Sequence, residues 1–253
     1  MSSRFSDRVV VITGATSGIG RSCALAFGNE GATVVGTGRD QDRLAALADH
    51  VDLALTLDVT DDRSVEMATQ AVLDRYGRVD VLLNNAGIGL FKPWQDTDVG
   101  AIQRVMDVNL YGVVRVTRAL LPSMLERDAG AVVNIASVAG RRGYAKHTAY
   151  CASKHALMGW SEGLRCDLAG TGVDVVVVCP PAVRTPFFEN AGYMTFDEDH
   201  PGLEPMTPDQ VAAGTVDATF RKRRVEILSP RAKALYAASV VAPGLLDRIR
   251  GMK

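Results

Sequence analysis

Short runs of apolar, mostly β-branched residues recur along the chain, and longer segments of mixed character separate them. The runs lie at 9–12, 33–35, 53–57, 79–83, 131–135, 173–179 and 225–228. Between most of them lie stretches with helical spacing, such as 19–29, 63–76, 102–125 and 150–168. Unbroken apolar runs are typical of strands that are buried on both faces. Alternating strands and helices imply right-handed crossovers, so the pattern predicts an α/β fold with helices on both faces of a parallel sheet.

The length and composition favour a single domain over residues 1–253. The chain is 47% hydrophobic, which is enough for one sizeable core, and no internal repeat or low-complexity linker divides it. Its 28 basic and 29 acidic residues give a net charge of −1. Nothing in this balance indicates a nucleic-acid partner, so small-molecule chemistry is the better expectation.

The cysteines and the N-terminus bear on metal binding and location. Cys23, Cys151, Cys166 and Cys179 are scattered without paired metal-ligand spacing, so we expect reduced, buried thiols and no metal site. The first residues lack the apolar stretch of a signal peptide, and a strand-like run begins almost at once. These features predict a cytoplasmic protein.

A glycine-rich turn follows the first predicted strand and leads into a helical pattern. Its candidate cofactor-binding residues are Gly14, Thr16, Ser17, Gly18, Ile19 and Gly20. Glycine permits the tight turn, and without a Cβ it lets the backbone and the helix N-terminus approach a pyrophosphate. An ordinary strand-to-helix turn is the competing interpretation, but ligands of such sheets bind at the carboxyl ends of strands, which favours a phosphate site.

Tyr150 and Lys154 are four residues apart in a predicted helix, which places phenol and ammonium on one face. A neighbouring cation favours the phenolate and so lowers the pKa of a tyrosine toward the range useful in catalysis. The same spacing arises by chance on many amphipathic helices, where the ring packs and the amine is solvated. The pair therefore depends on the rest of the chain for its interpretation.

The spacing Thr-Gly-x-x-x-Gly-Ile-Gly at 13–20 resembles that of the short-chain dehydrogenase/reductase family, in its compact single-domain branch. Further matches follow in the family's order: the motif Asn84-Asn85-Ala86-Gly87, then Asn109, Ser137, Tyr150 and Lys154. Together they run through nearly the whole chain. The resemblance implies a doubly wound Rossmann-type sheet of about seven strands in the order 3-2-1-4-5-6-7.

The resemblance also implies a role for each matching residue. Ser137 would hydrogen-bond a substrate carbonyl, and Tyr150 would supply or remove the proton. Lys154 would favour the tyrosinate and hydrogen-bond the nicotinamide ribose, while Asn109 would link Lys154 through water to solvent. Taken in isolation, Asn109 would be a helix-kink or packing residue and Ser137 a loop hydroxyl. The remaining implied cofactor contacts are Asn85, Ala86, Gly87, Val183 and Thr185.

The end of the second strand bears on which nicotinamide cofactor binds. Gly38 stands where NAD-dependent relatives often have an acid, and Arg39 follows it. An acidic residue would hydrogen-bond the ribose 2′-hydroxyl of NAD, whereas a cation accepts the 2′-phosphate of NADP, so NADP(H) is favoured over NAD(H). The alternative is that Arg39 caps a loop and Asp40 binds the ribose. Asp58 and Val59 resemble the family's adenine-contacting pair, although a turn aspartate is the competing interpretation.

After the sixth strand, Pro180, Val183 and Thr185 match the family pattern, but Pro181 stands where relatives usually have glycine. Proline fixes φ and removes an N–H, so we expect a stiffer or differently placed loop.

Residues 184–206 form the expected substrate lid, which the family pattern makes flexible. Its aromatic and sulfur-containing residues are Phe187, Phe188, Tyr193, Met194 and Phe196. They would wall an apolar pocket, or else pack within the lid itself. His147 is either a substrate contact or an exposed loop residue. The substrate itself is not encoded in any motif, and a medium or large hydrophobic alcohol or ketone is the expectation.

The C-terminal tail at about 229–253 has a helix start at Ser229-Pro230 and a short amphipathic stretch after Pro243-Gly244. We expect it to pack on the protein or to form a homodimer or homotetramer contact, in preference to peripheral membrane contact. Its longest uncharged run is too short to span a bilayer.

The combined expectation is an NADP(H)-dependent oxidoreductase that interconverts a secondary alcohol and a carbonyl. A non-catalytic NADP-binding redox sensor or scaffold is the alternative, but loss of the tyrosine or lysine would mark such a protein, and both are present. An extended-type epimerase or dehydratase would need a different glycine spacing and usually a larger C-terminal portion.

Overall fold

Seven parallel strands form one sheet in the computed structural model, which describes residues 3–191 and 205–241. The strands are β1 (Val9–Ile12), β2 (Thr33–Gly38), β3 (Leu53–Thr56), β4 (Val81–Asn84), β5 (Gly130–Ile135), β6 (Val173–Cys179) and β7 (Val225–Ile227). Their order is β3-β2-β1-β4-β5-β6-β7, which confirms the predicted doubly wound Rossmann-type α/β fold.

Helices cover both faces of the sheet. They are α1 (Gly18–Asn29), α2 (Gln41–Ala48), α3 (Asp62–Tyr76), α4 (Val99–Met106), α5 (Gly112–Glu126), α6 (Thr148–Asp167), α7 (Phe187–Asn190), α8 (Pro208–Phe220) and α9 (Pro230–Val241). Short 3₁₀ turns lie at Trp94–Asp96 and Val138–Gly140. No helix in the described ranges is both long and apolar enough to cross a membrane.

The single helix predicted over 102–125 is divided in the structure. It begins earlier, at Val99, because the carboxylate of Asp98 accepts a hydrogen bond from the Ala101 N–H at 2.8 Å and caps it. A π-helical turn, Asp107–Tyr111, then separates α4 from α5. Wide turns of this kind often lie at functional sites, and this one contains Asn109.

The core consists of two apolar layers, one on each face of the sheet. Val10 and Ile12 of β1 pack with Phe27 of α1 on one face, whereas Val9 and Val11 face the layer of α3 and α5. This alternation follows the two-residue period of a strand. Because both faces are buried, the strands need apolar residues at nearly every position, as the sequence shows.

A chain of buried amide and hydroxyl groups ties the sheet to the helices near its carboxyl edge. The Asn84 side chain donates to Thr117 Oγ1 at 3.1 Å and to Asn134 Oδ1 at 2.9 Å. Asn134 in turn donates to Ser161 Oγ at 2.9 Å. Since Ser161 belongs to α6, this network fixes the position of the helix that carries Tyr150 and Lys154.

At the opposite edge, the side chain of Asp80 is only 3% exposed and lies against three arginines. Its carboxylate is 3.4 Å from Arg8, 3.1 Å from Arg78 and 3.1 Å from Arg127, and it accepts the Val9 N–H at 2.8 Å. These contacts join the start of β1 to the loop before β4 and to the end of α5. They lie away from the carboxyl edge, where the candidate site is found.

Candidate active site

A cavity of about 890 Å³ lies along the carboxyl edge of the sheet, where parallel α/β sheets bind their ligands. Most residues predicted for the site line this cavity. They are Gly14, Thr16, Ser17, Gly18, Ile19, Arg39, Asp58, Val59, Asn85, Ala86, Gly87, Ser137, Tyr150, Lys154, Val183 and Thr185. Gly20 and Asn109 are not part of the wall and act on it from behind.

The glycine-rich turn after β1 is held against the turn after β4. The Thr13 hydroxyl accepts hydrogen bonds from the N–H groups of Asn85 and Ala86, both at 3.0 Å. The Asn85 amide donates back to the carbonyls of Thr13 and Gly14, also at 3.0 Å. Gly14 has φ +65° and Gly18 has φ +51°, a region that other residues rarely adopt. The turn is therefore rigid, and it leaves the N-terminus of α1 open to the cavity.

Gly20 is required for close packing behind the turn. A Cβ at this position would lie 2.2 Å from the Gly14 carbonyl oxygen and 2.4 Å from the Asn85 amide nitrogen. Only glycine lets α1 start this close to the two loops. Gly20 thus shapes the glycine-rich turn without facing the cavity.

The glycine-rich turn and the N-terminus of α1 fit a dinucleotide. The glycines of the turn leave no Cβ between the backbone and the cavity, and the helix N-terminus directs N–H groups toward it, which suits a pyrophosphate. Ser17 is the N-cap residue of α1, and its side chain makes no capping hydrogen bond. The first-turn N–H groups of α1 are therefore left for a phosphate.

Arg39 and Asp58 stand together at the β2 end of the cavity. Arg39 Nη1 is 3.4 Å from Asp58 Oδ2, and the Arg39 side chain is 63% exposed. Burial acts to raise the pKa of Asp58, but hydrogen bonds from Thr60 and the charge of Arg39 outweigh it and hold the pKa below its usual value. Asp58 is therefore ionised, and Arg39 is an exposed cation of this end that pairs with it.

Gly38 and Asp40 also lie at the β2 end, on either side of Arg39 in the chain. A Cβ at Gly38 would lie 2.5 Å from the Thr16 methyl carbon, so Thr16 fills the space that a larger residue would need. The Asp40 carboxylate accepts the Arg43 N–H at 3.0 Å and caps α2. Asp40 is not in the cavity wall, unlike Arg39.

Tyr150, Ser137 and Lys154 meet near the middle of the cavity. Tyr150 and Ser137 both line the cavity, and the nearby Ser137 hydroxyl acts to lower the pKa of the Tyr150 hydroxyl. The Lys154 ammonium lies 5.8 Å from the centre of the Tyr150 ring and donates to the Ile135 carbonyl at 2.9 Å. Ser137 is held at the end of β5 because its Oγ accepts the Ala139 N–H at 3.1 Å.

The electrostatics of the pair differ from the simplest expectation. Among the protein's own groups, burial raises the pKa of Tyr150 above its ordinary value, and the hydrogen bond with Ser137 opposes that rise only in part. Burial lowers the pKa of Lys154 to about 8. Desolvation thus outweighs the attraction expected between the two groups, and Tyr150 is fully protonated at neutral pH.

Asn109 is completely buried in the π-helical turn, behind the cavity wall. Its side chain exchanges two hydrogen bonds with the Ile88 backbone, accepting at 2.8 Å and donating at 2.9 Å, and donates to Ser153 Oγ at 3.0 Å. A Cβ at Gly87 would lie 3.2 Å from Asn109 Oδ1 and 3.7 Å from Lys154 Nζ. The two groups therefore face the same small space beside Gly87.

The loop after β6 closes one side of the cavity. Pro181 lines the cavity, and Val183 pairs with Met206 through Arg184 N–H to Met206 O and Met206 N–H to Ala182 O, both at 3.0 Å. A Cβ at Gly18 would lie 3.1 Å from the Thr185 methyl carbon. Thr185 therefore stands directly over the glycine turn.

An aromatic wall lies on the other side of Tyr150. Phe91 packs edge-on against the Tyr150 ring at 5.4 Å between centroids, and Phe187 does so at 5.7 Å. Phe188 stacks on Phe91, and the His147 ring lies 4.4 Å from it. Phe187 and Phe188 thus line the cavity, one of the two arrangements left open by the sequence, and also pack on each other. His147 is buried in that wall. Tyr193, Met194 and Phe196 lie outside the described residues.

Several wall residues had no signal in a known motif. They are Phe91, Tyr144, Ser229, Arg231, Ala232 and Leu235. Phe91 had a weak one, since an apolar residue shortly after the fourth strand must face either the core or the cavity. Ser229, Arg231, Ala232 and Leu235 reach the cavity because α9 starts at the carboxyl end of β7, which only the strand order reveals. Tyr144 lies in the loop before α6.

Comparison with known proteins agrees with this geometry. The family model described as "short chain dehydrogenase" matches residues 8–194. The chain belongs to the short-chain dehydrogenase/reductase family. It is therefore an oxidoreductase of the kind that acts on CH–OH groups or carbonyls with a nicotinamide cofactor.

Three relatives illustrate the range within the family. Ketoacyl reductase HetN of Nostoc sp. is 36% identical over 257 residues, which cover 96% of this chain and 88% of the relative. A short-chain dehydrogenase/reductase from Burkholderia phymatum in complex with NAD has a TM-score of 0.84 at 27% identity and covers 99% of this chain and 97% of its own. A variant of actinorhodin polyketide ketoreductase with NADPH has a TM-score of 0.77 at 33% identity, with 92% and 94% covered. Family membership thus indicates a nicotinamide cofactor and leaves the choice between NAD and NADP to the residues of this chain.

Proposed function

We propose that the protein is an NADP(H)-dependent oxidoreductase that interconverts a secondary alcohol and a ketone on a medium or large hydrophobic substrate. The observation that carries the proposal is the position of Tyr150 and Ser137 in one cavity, between the glycine turn and the aromatic wall. A carbonyl held there contacts a hydroxyl pair on one side and the nicotinamide position on the other.

In the direction of reduction, Ser137 orients the substrate carbonyl and Tyr150 donates a proton to its oxygen. NADPH, when bound along the glycine turn, supplies the hydride to the carbonyl carbon. Because burial raises the pKa of Tyr150, the phenol keeps its proton until the carbonyl oxygen gains negative charge. In the direction of oxidation Tyr150 must first lose its proton, and the phenolate oxygen then accepts the alcohol proton.

Lys154 supplies positive charge beside Tyr150 and would hydrogen-bond the nicotinamide ribose. Its donation to the Ile135 carbonyl fixes the ammonium within the cavity wall. Asn109 acts by holding the Ile88 backbone and by facing the space beside Gly87 that Lys154 also faces. A water in that space would connect Lys154 to solvent, which is the proton path we propose.

Three features support NADP(H) over NAD(H). Arg39 lines the β2 end of the cavity, Thr16 leaves no room for an acidic side chain at Gly38, and Asp40 is engaged as the cap of α2. A guanidinium at this place suits the 2′-phosphate of NADP. Asp58 and Val59 would then contact the adenine.

The cofactor proposal is tested with Arg39→Ala, with Arg43→Ala as the matched control. Arg43 is a neighbouring exposed arginine that pairs with Asp40 outside the cavity wall. We expect Arg39→Ala to lower kcat/KM for NADPH roughly tenfold or more and to leave the value for NADH nearly unchanged. An unchanged NADPH/NADH preference in Arg39→Ala would contradict the assignment, whereas equal losses in both variants would indicate a general charge effect.

The assembly and location of the protein remain proposals. We propose a homodimer or homotetramer, supported by the exposed apolar side chains of Trp94, Val99 and Tyr111, and a cytoplasmic location. The amphipathic stretch after Pro243-Gly244 lies outside the described residues. Sedimentation velocity and liposome co-sedimentation, each with and without residues 242–253, distinguish a subunit contact from a membrane contact.

A further inference from the structure

Arg231 is a cavity-lining cation that the proposed reaction does not use. It follows Ser229 and Pro230 at the start of α9, directly after β7. Its side chain is exposed and lines the cavity beside Ala232 and Leu235. No ion pair or side-chain hydrogen bond of Arg231 occurs within residues 3–191 and 205–241.

The position of Arg231 separates it from the cofactor's phosphates. Arg39 follows β2, and five strand intervals lie between β2 and β7 in the sheet. At about 4.8 Å per interval, the two strands are roughly 24 Å apart. Arg39 and Arg231 thus mark opposite ends of one cavity, and Tyr150 lies between them.

The charges around the Arg231 end are predominantly positive. Among the wall residues that the structure describes, Asp58 is the only acidic one, and it is paired with Arg39 at the far end. A smaller pocket of about 20 Å³ shares Val138, Tyr144, Ala232 and Leu235 with the main cavity and is also lined by two further arginines. These are Arg141 and Arg142. Arg141 is engaged by the hydroxyl and the ring of Tyr236, so Arg231 is the cation that lines the main cavity at this end.

We propose that Arg231 binds an anionic oxygen group, a carboxylate or a phosphate, at the far end of the hydrophobic substrate. This inference rests on the proposed oxidoreductase function and names its substrate class. Since β5 and β7 are two strand intervals apart, the anion lies on the order of 10 Å from the carbonyl that Ser137 and Tyr150 hold. The apolar residues Ala232 and Leu235 contact the chain between them, together with the aromatic wall.

The test uses straight-chain methyl ketones of increasing length that end in a carboxylate, a phosphate or a neutral methyl ester. They are compared with the wild type, Arg231→Met and Arg231→Lys, with Arg223→Ala as a control. Methionine keeps an apolar stem without the charge, and Arg223 is an exposed arginine outside the cavity wall. The readouts are kcat and KM with NADPH, and the calorimetric affinity of the matching alcohols in the presence of NADPH, with which an alcohol cannot react.

We expect the wild type to favour one or both anionic series over the ester by about five- to twentyfold in kcat/KM, with an optimum chain length. Arg231→Met should abolish this preference by raising KM for the anionic ketones, Arg231→Lys should keep part of it, and Arg223→Ala should keep all of it. The series with the larger increase in kcat/KM over the ester shows whether Arg231 prefers a carboxylate or a phosphate. Equal kcat/KM for anions and esters, or a preference that survives in Arg231→Met, overturns the proposal.

The calorimetric measurement distinguishes a failure of the Arg231 proposal from a failure of the proposed reaction. Turnover of the ketones without an anion preference means that the oxidoreductase assignment holds and the Arg231 proposal fails. Binding of the anionic alcohols that depends on Arg231, without turnover of any ketone, means that the anion site holds and the proposed reaction fails.

Discussion

The pKa values of Tyr150 and Lys154 depend more on burial than on the interaction between the two side chains. Tyr150 is negative when it ionises and Lys154 is positive, so each would favour the charged form of the other. Desolvation nevertheless shifts both side chains toward their neutral forms. The sequence predicts the residue types and their four-residue spacing, but not this balance. The degree of desolvation depends on the aromatic wall and on the Ile135 carbonyl, which come from distant parts of the chain.

The pH dependence of reduction follows from these shifts. Reduction requires a protonated Tyr150 and a positive Lys154, and burial raises the pKa of Tyr150 while it lowers that of Lys154 to about 8. As the pH rises, Lys154 loses its proton first. We therefore expect kcat for reduction to fall as the pH passes through about 8.

The assignment of this fall to Lys154 is tested with Lys154→Arg. A guanidinium stays charged throughout this range, so the fall near pH 8 should disappear from whatever activity the variant keeps. Carbon NMR of the Lys154 ε-methylene in the wild type gives an independent titration. The same fall in Lys154→Arg, or an NMR midpoint near the ordinary value for lysine, would assign the pH dependence to another group.

At the scale of elements, the order of strands and helices follows directly from the sequence. The apolar runs predict all seven strands to within a few residues, because strands buried on both faces must be apolar throughout. The sequence does not predict the π-helical turn at Asp107–Tyr111, since its cause is the set of bonds between Asn109 and residues far away in the chain. Nor does any local pattern indicate that α9 lines the cavity.

Asn109 should matter for both stability and rate. In Asn109→Ala, the partly buried N–H and carbonyl of Ile88 lose their partner, and the buried hydrogen bond to Ser153 is lost as well. We expect a loss of about 2–4 kcal/mol in the free energy of unfolding, measured in urea, because unsatisfied buried polar groups are costly.

The same variant should lower kcat more than it raises KM, because the space shared with Lys154 is disturbed. Thr219→Val serves as a control that removes a buried hydrogen bond away from the cavity, from the Thr219 hydroxyl to the Thr215 carbonyl in α8. Comparable kcat losses in both variants at a temperature where both are folded would argue against a special role for Asn109.

At the scale of the whole molecule, stability and chemistry lie at opposite edges of the sheet. The cavity occupies the carboxyl edge, whereas Asp80 and its three arginines hold the other. This division is predictable in outline, because parallel sheets bind ligands at their carboxyl ends. The sequence does not predict that Arg8, Arg78 and Arg127 converge on Asp80, because only folding brings these side chains together.

Removal of the Asp80 carboxylate should therefore destabilise the fold and spare the reaction. Asp80→Ala removes the carboxylate that three guanidinium groups share and the acceptor of the Val9 N–H, and we expect a loss of about 3 kcal/mol in the free energy of unfolding. Asp174→Ala is the matched control, because Asp174 pairs with the exposed Lys222 and its removal should cost about 1 kcal/mol or less.

Urea unfolding and kcat at low temperature check both variants. Equal stability losses in the two, or a loss of kcat in folded Asp80→Ala, would contradict the separation of the two edges.

The central claim is that Tyr150 transfers the proton, and its most direct test is the turnover of Tyr150→Phe with NADPH and a ketone that the wild type reduces. Phenylalanine keeps the ring against Phe91 and Phe187 and removes only the hydroxyl that meets Ser137. We predict a fall in kcat of roughly 10²- to 10⁴-fold, with NADPH affinity unchanged by fluorescence titration. Turnover that stays within a few-fold of the wild type, at unchanged NADPH affinity, would contradict the account.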